Sequence, residues 1–293
     1  MRDFNEANAT EAVLARLEDC RDPRLHQVMT SVIRHLHAVV REVEPTQEEW
    51  MTTIRFLTEI GHMCDDRRQE FILLSDTLGV SMLVDAIAHR KPPGVTESTV
   101  LGPFHVEGAR LLPHGADICL DGKGERTVVT GRVLDPAGRP IAGATLDVWQ
   151  TNDEGFYDIQ QPGVQPEMNL RGRFATDTEG RFWLKTVKPV SYPIPTDGPV
   201  GKLLGQLGRH PWRPAHIHFI IGAAGFEPVT THLFVEGDPY LESDAVFGVK
   251  ESLIRPFLRI TDPAEAARFG VEAPFWRVSS DFSLKPAAPV LAA

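Results

Sequence analysis

From residue 8 to about residue 90 the apolar positions fall at helical spacing, and from residue 100 to 285 they fall in short alternating runs. Leu25, Met29, Val32, Leu36, Val39 and Val43 form one stripe with Arg34, His35 and Arg41 between them, the pattern of an amphipathic helix. Thr46-Gln47-Glu48-Glu49 has the makings of a capping box, in which the Thr and Glu side chains satisfy each other's unpaired amides at a helix start. Trp50, Ile54, Leu57 and Cys64 follow on one face, then Phe71, Leu74 and Leu78 until Gly79 breaks the run, and Ser81 opens a short helix to about His89. After Lys91-Pro92-Pro93-Gly94 the character changes to Gly, Pro and period-two alternation. Strands are predicted over Arg126–Leu134 and, beyond the turn Asp135–Gly138, over Ile141–Gln150 as its return. Asp177–Gly180 turns between Arg173–Thr176 and Arg181–Val187, while His216–Ile221, Thr230–Val235 and Trp276–Leu284 complete the set. With no βαβ rhythm, the pattern predicts a mainly β protein: an antiparallel β-sandwich over 100–293 behind a helical N-terminal domain over 1–99. Residues 188–211, dense in proline and glycine, read as a long loop, and such a loop inside a compact domain is usually functional.

Composition narrows the partners. The 293 residues are 42% hydrophobic and 24% charged, ordinary for a soluble globular chain with room for a sizeable core. A net charge of −10 without any block of lysine or arginine argues against nucleic acid and against an anionic membrane surface. No apolar run is long enough to span a bilayer, and Met1–Glu18 lacks the apolar stretch of a signal peptide. Cys20, Cys64 and Cys119 are scattered, as expected of reduced thiols in a cytoplasmic protein, and leave metal binding to His, Tyr, Asp or Glu.

The densest chemistry is Arg213-Pro214-Ala215-His216-Ile217-His218-Phe219. On a strand, His216 and His218 point to one face and can grip one transition metal, with Arg213 as a cationic neighbour. Tyr157 follows a strand end and Tyr192 sits in the proline-rich loop, whereas Tyr240 reads as a packing residue beside a turn. A phenolate is a hard anionic ligand suited to ferric iron, and two phenolates with two neutral imidazoles leave one net positive charge on Fe(III). Singly, each tyrosine reads better as an amphipathic side chain with a wet hydroxyl; only together do they point to a metal. His-x-His on a strand also fits a cupin-type site or a zinc hydrolase. A different clue lies in Met82–Ala88, apolar except for Asp85. An ionised carboxylate among such neighbours is costly unless paired or wet. Asp85 therefore faces solvent or, with Met82, forms a pocket wall that accepts a hydrogen bond from a substrate hydroxyl.

Gly102-Pro103-Phe104, Trp149-Gln150-Thr151-Asn152, Gly155-Phe156-Tyr157, Tyr192-Pro193-Ile194-Pro195 and Arg213 to His218 together resemble the intradiol ring-cleaving dioxygenases over most of residues 20 to 285. Tyr192–Gly198, His210–Arg213 and Thr231–Asp238 are most similar to the hydroxyquinol-cleaving branch, and catechol dioxygenases usually carry glutamine where His232 stands. The resemblance implies a non-haem Fe(III) held by Tyr157, Tyr192, His216 and His218, with Arg213 behind the substrate ring and Tyr192 leaving the metal to take a substrate proton. It implies a pocket lined by Val100, Leu101, Gly102 and Phe104, less strongly by Pro195 and Leu203, with His232 near the iron; on the separate clue of its apolar neighbours, Asp85 would face the third hydroxyl. The implied reaction is cleavage of hydroxyquinol (benzene-1,2,4-triol) by O2 to 3-hydroxy-cis,cis-muconate, the enol of maleylacetate. Catechol or a substituted catechol is the alternative substrate, and a ligand-binding β-sandwich module the non-enzymatic alternative. The family further implies a homodimer joined through the N-terminal helices, sometimes with a phospholipid there.

Overall fold

The protein is represented by a computed structural model that describes residues 2–65 and 68–288, so the last five residues of the expected second domain, 289–293, lie outside the described part. Two compact units divide between Glu59 and Ile60. In the first, α1 (Ala9–Leu14), α2 (Pro23–Val43) and most of α3 (Gln47–Met63) are helical. Asp22 caps α2 by accepting from the amides of Arg24 and Leu25 at 2.8 and 3.0 Å, and Pro23 supplies a pre-set first turn. The Thr46–Glu49 capping box forms as its sequence implies, with Glu49 Oε2 accepting from the Thr46 amide at 2.8 Å and Thr46 Oγ1 accepting from the Glu49 amide at 3.2 Å. The apolar stripe of α2 stays uncovered: none of its residues is buried, and Leu36 and Val43 are 60% and 65% exposed. No single helix among the described residues is long and apolar enough to cross a membrane.

The second unit opens with α4 (Glu70–Thr77) and α5 (Val80–Ala88). Helical spacing suggests that α4 turns Phe71, Leu74 and Leu78 inward, yet Phe71 and Leu78 are 47% and 56% exposed. The buried face carries Glu70, Leu73, Asp76 and Thr77 instead. The inversion is possible because each buried polar group finds a partner. Glu70, for example, is ion-paired with Arg68 at 2.9 Å and accepts from the Val200 amide at 3.2 Å.

The strands are β1 (Arg126–Leu134), β2 (Thr145–Trp149), β3 (Arg171–Ala175), β4 (Arg181–Val187), β5 (Tyr192–Pro193), β6 (Trp212–Arg213), β7 (His216–Gly222), β8 (Val229–Val235), β9 (Ile254–Arg255), β10 (Leu258–Ile260), β11 (Phe275–Ser279) and β12 (Phe282–Ser283). Helices α6 (Pro199–Gln206) and α7 (Pro263–Phe269) interrupt them. Residues 188–211 are thus less irregular than expected, because Pro199 starts α6 and Val200 and Leu204 bury one face of it.

Two five-stranded sheets result, one ordered β10-β11-β1-β12 with β4 also on β1, the other β3-β2-β7-β8-β9. They are mixed rather than antiparallel: β11 and β12 run parallel to β1, and β9 runs parallel to β8. The chain reaches β11 only after passing through β10 and α7, and a crossover of that length lets a strand return in the parallel sense. The two predicted hairpins also split. Pairing beyond the 135–138 turn is limited to the bridge between Leu134 and Pro140, after which β2 joins β3 and β7 while β1 joins β4. Thr176 fixes the departure: its amide donates to the Ala144 carbonyl, its carbonyl accepts from the Gly143 amide, and its Oγ1 accepts from the Ala144 amide at 2.9 Å. Apolar residues of both sheets, among them Val129, Val133 and Leu184 from one and Leu146, Phe174, Ile217, Phe219 and Leu233 from the other, form a single buried core.

Gly131 marks the place where β1 changes partner from β11 to β12, and a Cβ there would meet the Ser280 carbonyl oxygen at 1.9 Å. Gly131→Ala is therefore expected to destabilise the protein by about 2 kcal/mol or more, the cost of overpacking rigid backbone. Chemical denaturation checks this, and an unchanged midpoint would contradict it.

Candidate metal centre and active site

The register of β7 sets the centre. His218 lies opposite Trp149 on one side and opposite His232 on the other, and His216 lies opposite Phe234. The alternation of the strand sends both imidazoles to one face. Trp149 stacks on His218 with ring centroids 4.6 Å apart and planes 12° apart, and Gly102 comes so close that a Cβ would lie 3.4 Å from His218 Cε1. Tyr157 follows the turn after β2, where Asn152 Oδ1 accepts from the amides of Glu154 and Phe156. Tyr192 comes from β5, whose partner β6 carries Arg213 directly opposite it.

The four side chains form a closed ring. Tyr157 Oη lies 2.8 Å from His218 Nε2 and 3.0 Å from Tyr192 Oη; Tyr192 Oη lies 3.3 Å from His216 Nε2; and the two Nε2 atoms lie 3.1 Å apart. All four residues are buried. Protons alone satisfy this ring poorly. His216 Nδ1 sits 2.7 Å from the Pro214 carbonyl, which only accepts, so Nδ1 carries the proton and Nε2 presents a lone pair to its neighbours. Burial, reinforced by the Arg213 charge, pushes the pKa of His216 down to about 3. His218 is likewise held well below the ordinary range by burial, then by the neighbouring His232 and His216. Both imidazoles are neutral at neutral pH. The phenols shift the other way: burial raises both Tyr157 and Tyr192, so neither ionises without a nearby cation. Donors about 2.0 Å from a common ion and 90–120° apart are about 2.8–3.5 Å from each other, which is the spacing of this ring. The donor set therefore fits a highly charged cation that phenolates would neutralise.

Arg213 is buried against the ring, its Nη1 3.5 Å from His216 Nε2 and its Nε 3.1 Å from Asp244 Oδ1. Burial works against its charge, but the Asp244 carboxylate together with Tyr192 and Tyr157 outweighs burial and keeps the guanidinium protonated. Asp244, whose own acidity burial opposes, is held ionised by Arg213 and accepts from the Gly248 amide at 2.8 Å. Removing one member would leave the other charge buried without compensation, a loss of about 3–5 kcal/mol. On the far side, the buried pair Arg171–Asp158 backs Tyr157, with the guanidinium carbon 5.9 Å from its ring centroid.

The remaining expected residues divide. Phe104 stacks on Tyr157 at 4.7 Å, and Gly102 covers His218. Met82 is buried beside Thr99, whose hydroxyl donates to the Gly248 carbonyl behind Arg213. Val100 is buried and its backbone carbonyl favours the charged form of His232, although burial dominates and keeps that ring neutral. His232 is fully buried 4.1 Å from the His218 ring, with neither nitrogen hydrogen-bonded. Leu101 is 44% exposed, and Pro195 and Leu203 are half-buried. Asp85 is not brought to the ring: His89 and Ser98 bind its carboxylate at 2.7 and 2.8 Å, and it lines a separate cleft of about 750 Å³. Asp85 stays on the inner face of α5, its side chain 14% exposed, and there the local partners remove the cost that suggested a pocket role.

Sequence reasoning passed over Asp76. It is buried on α4, burial raises its pKa, and it lies within electrostatic reach of Arg213 and Asp244. The available signal was a lone acid in the otherwise neutral stretch Phe71–Thr77, masked by an apolar stripe that pointed to the opposite face.

The fold and its buried Tyr/His ring agree with the family comparisons, which place the chain among the dioxygenases: a family model described as Dioxygenase matches residues 102–282, and one described as Catechol dioxygenase N terminus matches residues 22–96. A hydroxyquinol 1,2-dioxygenase of a Rhizobium species is 59% identical over 96% of this chain and 96% of its own length. An intradiol ring-cleavage dioxygenase of Aspergillus niger is 47% identical over 97% of this chain and 86% of its own. The crystal structure of a hydroxyquinol 1,2-dioxygenase from Pseudomonas putida aligns with a TM-score of 0.91 and 50% identity, over 96% of this chain and 99% of that one. The chain belongs to the intradiol ring-cleavage dioxygenases, a family of non-haem iron enzymes.

The depressed histidines make a prediction about the metal-free protein. Each is neutral in the fold, whereas the unfolded chain binds its proton near pH 6.5. Stability is thus fully present above about pH 6.5 and falls on acidification, by about 1.4 kcal/mol per pH unit for each histidine, for His216 down to about pH 3. The thermal midpoint of chelator-treated protein is expected to drop steadily between pH 7 and pH 5, and a flat profile would count against the buried neutral ring.

Proposed function

We propose that this enzyme cleaves hydroxyquinol with O2 between its two adjacent hydroxyl groups, using non-haem Fe(III) held by Tyr157, Tyr192, His216 and His218. The observation that carries the reading is the closed ring of four buried donor atoms, two of them phenolic. The names of the 59%- and 50%-identical relatives support hydroxyquinol over catechol. When bound, ferric iron supplies Lewis acidity and a place for both substrate oxygens. The protein's own groups do the rest. Tyr192 Oη, as a phenolate, accepts a proton from a substrate hydroxyl. Arg213, fixed by Asp244, offers a preorganised positive charge where the ring becomes electron-rich. Trp149, Gly102 and Phe104 hold His218 and Tyr157 in place and keep water from their faces. The product class is a 3-hydroxymuconate, the enol of maleylacetate.

For the third hydroxyl, Asp76 is the better candidate than Asp85. Its buried carboxyl is near Arg213, and its hydrogen-bond partner is the hydroxyl of Ser81. A site built to hydrogen-bond a substrate hydroxyl rejects an analogue lacking it far better than an apolar wall does. The two sheets with one core are read as a β-sandwich catalytic domain over 100–293, and residues 1–99 as a helical domain. The uncovered stripe of α2 supports a homodimer through these helices; a phospholipid there and a cytoplasmic location are read from the family resemblance.

His216, His218 and His232 offer ligand atoms within 4.8 Å of each other, which favours a second reading, a three-imidazole zinc site. Colour separates the two, because ferric tyrosinate absorbs visible light and zinc does not. Iron-loaded protein is expected to be coloured and to open hydroxyquinol in preference to catechol. Asp76→Ala is expected to lower the hydroxyquinol-to-catechol ratio of kcat/KM by about tenfold or more, while Asp85→Ala leaves the ratio unchanged. A colourless active enzyme, or the reverse ranking of the two variants, would refute the respective assignment.

A further inference from the structure

The turn that ends β8 carries a carboxylate bonded to two segments of the ring at once. Asp238 Oδ2 accepts from Ser191 Oγ at 2.5 Å and from the Ala215 amide at 3.0 Å. Ser191 immediately precedes Tyr192, and Ala215 immediately precedes His216. The other oxygen, Oδ1, accepts from the Tyr240 amide at 2.9 Å, which fixes the rotation of the carboxylate. The turn itself is closed by Gly237 at φ +79° and by the Asp238 amide donating to the Val235 carbonyl at 3.3 Å. All three donors to Asp238 are uncharged, so its full charge strengthens these bonds.

We propose that Asp238 is a positioning residue that sets the distance between the Tyr192 phenol and the His216 imidazole, now 3.3 Å. The proposal rests on the ligand assignment above. The other polar restraints on the Tyr192 segment are backbone ones, including the Ile194 amide donating to the Pro211 carbonyl at 2.9 Å. Strand β5 has two residues and one partner strand, β6. Against Tyr192 Cβ stands Gly155, where a Cβ would approach to 2.9 Å, so contact there limits movement in one direction only. The Ser191–Asp238 bond is a side-chain link that joins this segment to the entrance of β7, beside the β5–β6 backbone pairing. Because one oxygen serves both donors, Ser191 and Ala215 cannot separate without breaking a bond. Tyr192 is thereby left free to swing about its own side-chain torsions while its backbone stays registered to His216. A phenol that leaves an ion to take a proton then returns to the same place.

The variants are Ser191→Ala, which removes one arm and leaves the bond to Ala215, Ser191→Thr, which keeps a hydroxyl, and Asp238→Asn, which keeps the shape and weakens the acceptor. Three readouts are taken on iron-loaded protein: the visible tyrosinate band, the rate of iron extraction by a chelator, and the thermal midpoint. Ser191→Ala is expected to shift or weaken the band and to release iron roughly fivefold to tenfold faster, the scale of one hydrogen bond, with its thermal midpoint close to that of the wild type. Ser191→Thr is expected to restore both properties, and Asp238→Asn to fall between. A role in turn stability alone would lower the thermal midpoint without moving the band. A wild-type band and extraction rate in Ser191→Ala, or failure of Ser191→Thr to restore them, would overturn the proposal. If iron-loaded wild type itself shows no tyrosinate band, the ligand assignment fails and the proposal falls with it.

Discussion

Four buried polar atoms pointing at one another are the constraint on which the rest of the structure turns. Two are imidazole nitrogens held neutral, and two are phenol oxygens held protonated by burial. Such a cluster is a poor way to fold a protein, because buried polar groups in contact need complementary partners. It becomes favourable around a cation, which ionises the phenols and engages the lone pairs. Much of the catalytic half serves to hold this otherwise uncomfortable arrangement together.

The supports are layered by charge. Arg213 and Asp244 form a buried pair on one side of the ring, and Arg171 and Asp158 form another behind Tyr157. Each pair is close to neutral as a unit, so each brings a directed cationic group near the phenol oxygens without a large unpaired charge. Apolar surfaces fill the remaining space: Trp149 under His218, Phe104 on Tyr157 and the bare backbone of Gly102. His232 sits among these groups with neither nitrogen in good hydrogen-bond geometry, and the Val100 carbonyl is a polar group that acts on it.

Some of this was legible in the chain. Strand β1 was found from Arg126 to Leu134, and the capping box at Thr46 formed with the expected pairs. The His-x-His alternation and the two tyrosines named the ring members, since period two fixes which residues share a face. The family resemblance, carried by motifs spread along the chain, pointed to the right class of enzyme. The face of α4 was misread because Phe71, Leu74 and Leu78 make a convincing stripe, whereas the helix buries Glu70 and Asp76. Asp85 drew attention for its apolar neighbours, but His89 one turn later and Ser98 satisfy it locally.

What the sequence determined by itself was local: where strands and turns lie, how helices begin, and which residue types are capable of the chemistry. Those properties depend on neighbours along the chain, through backbone torsions, capping and the two periodicities. Only the tertiary structure decided that the two apparent hairpins open into different sheets, that the sheets are mixed, and that the donor atoms from residues 157, 192, 216 and 218 meet within 3.3 Å of their neighbours in the ring. The same holds for the partners of Arg213 and for the carboxylate that spans Ser191 and Ala215. Long-range pairing is chosen by packing and by the matching of buried polar groups, and alternation along one strand looks the same whichever strand it finally joins.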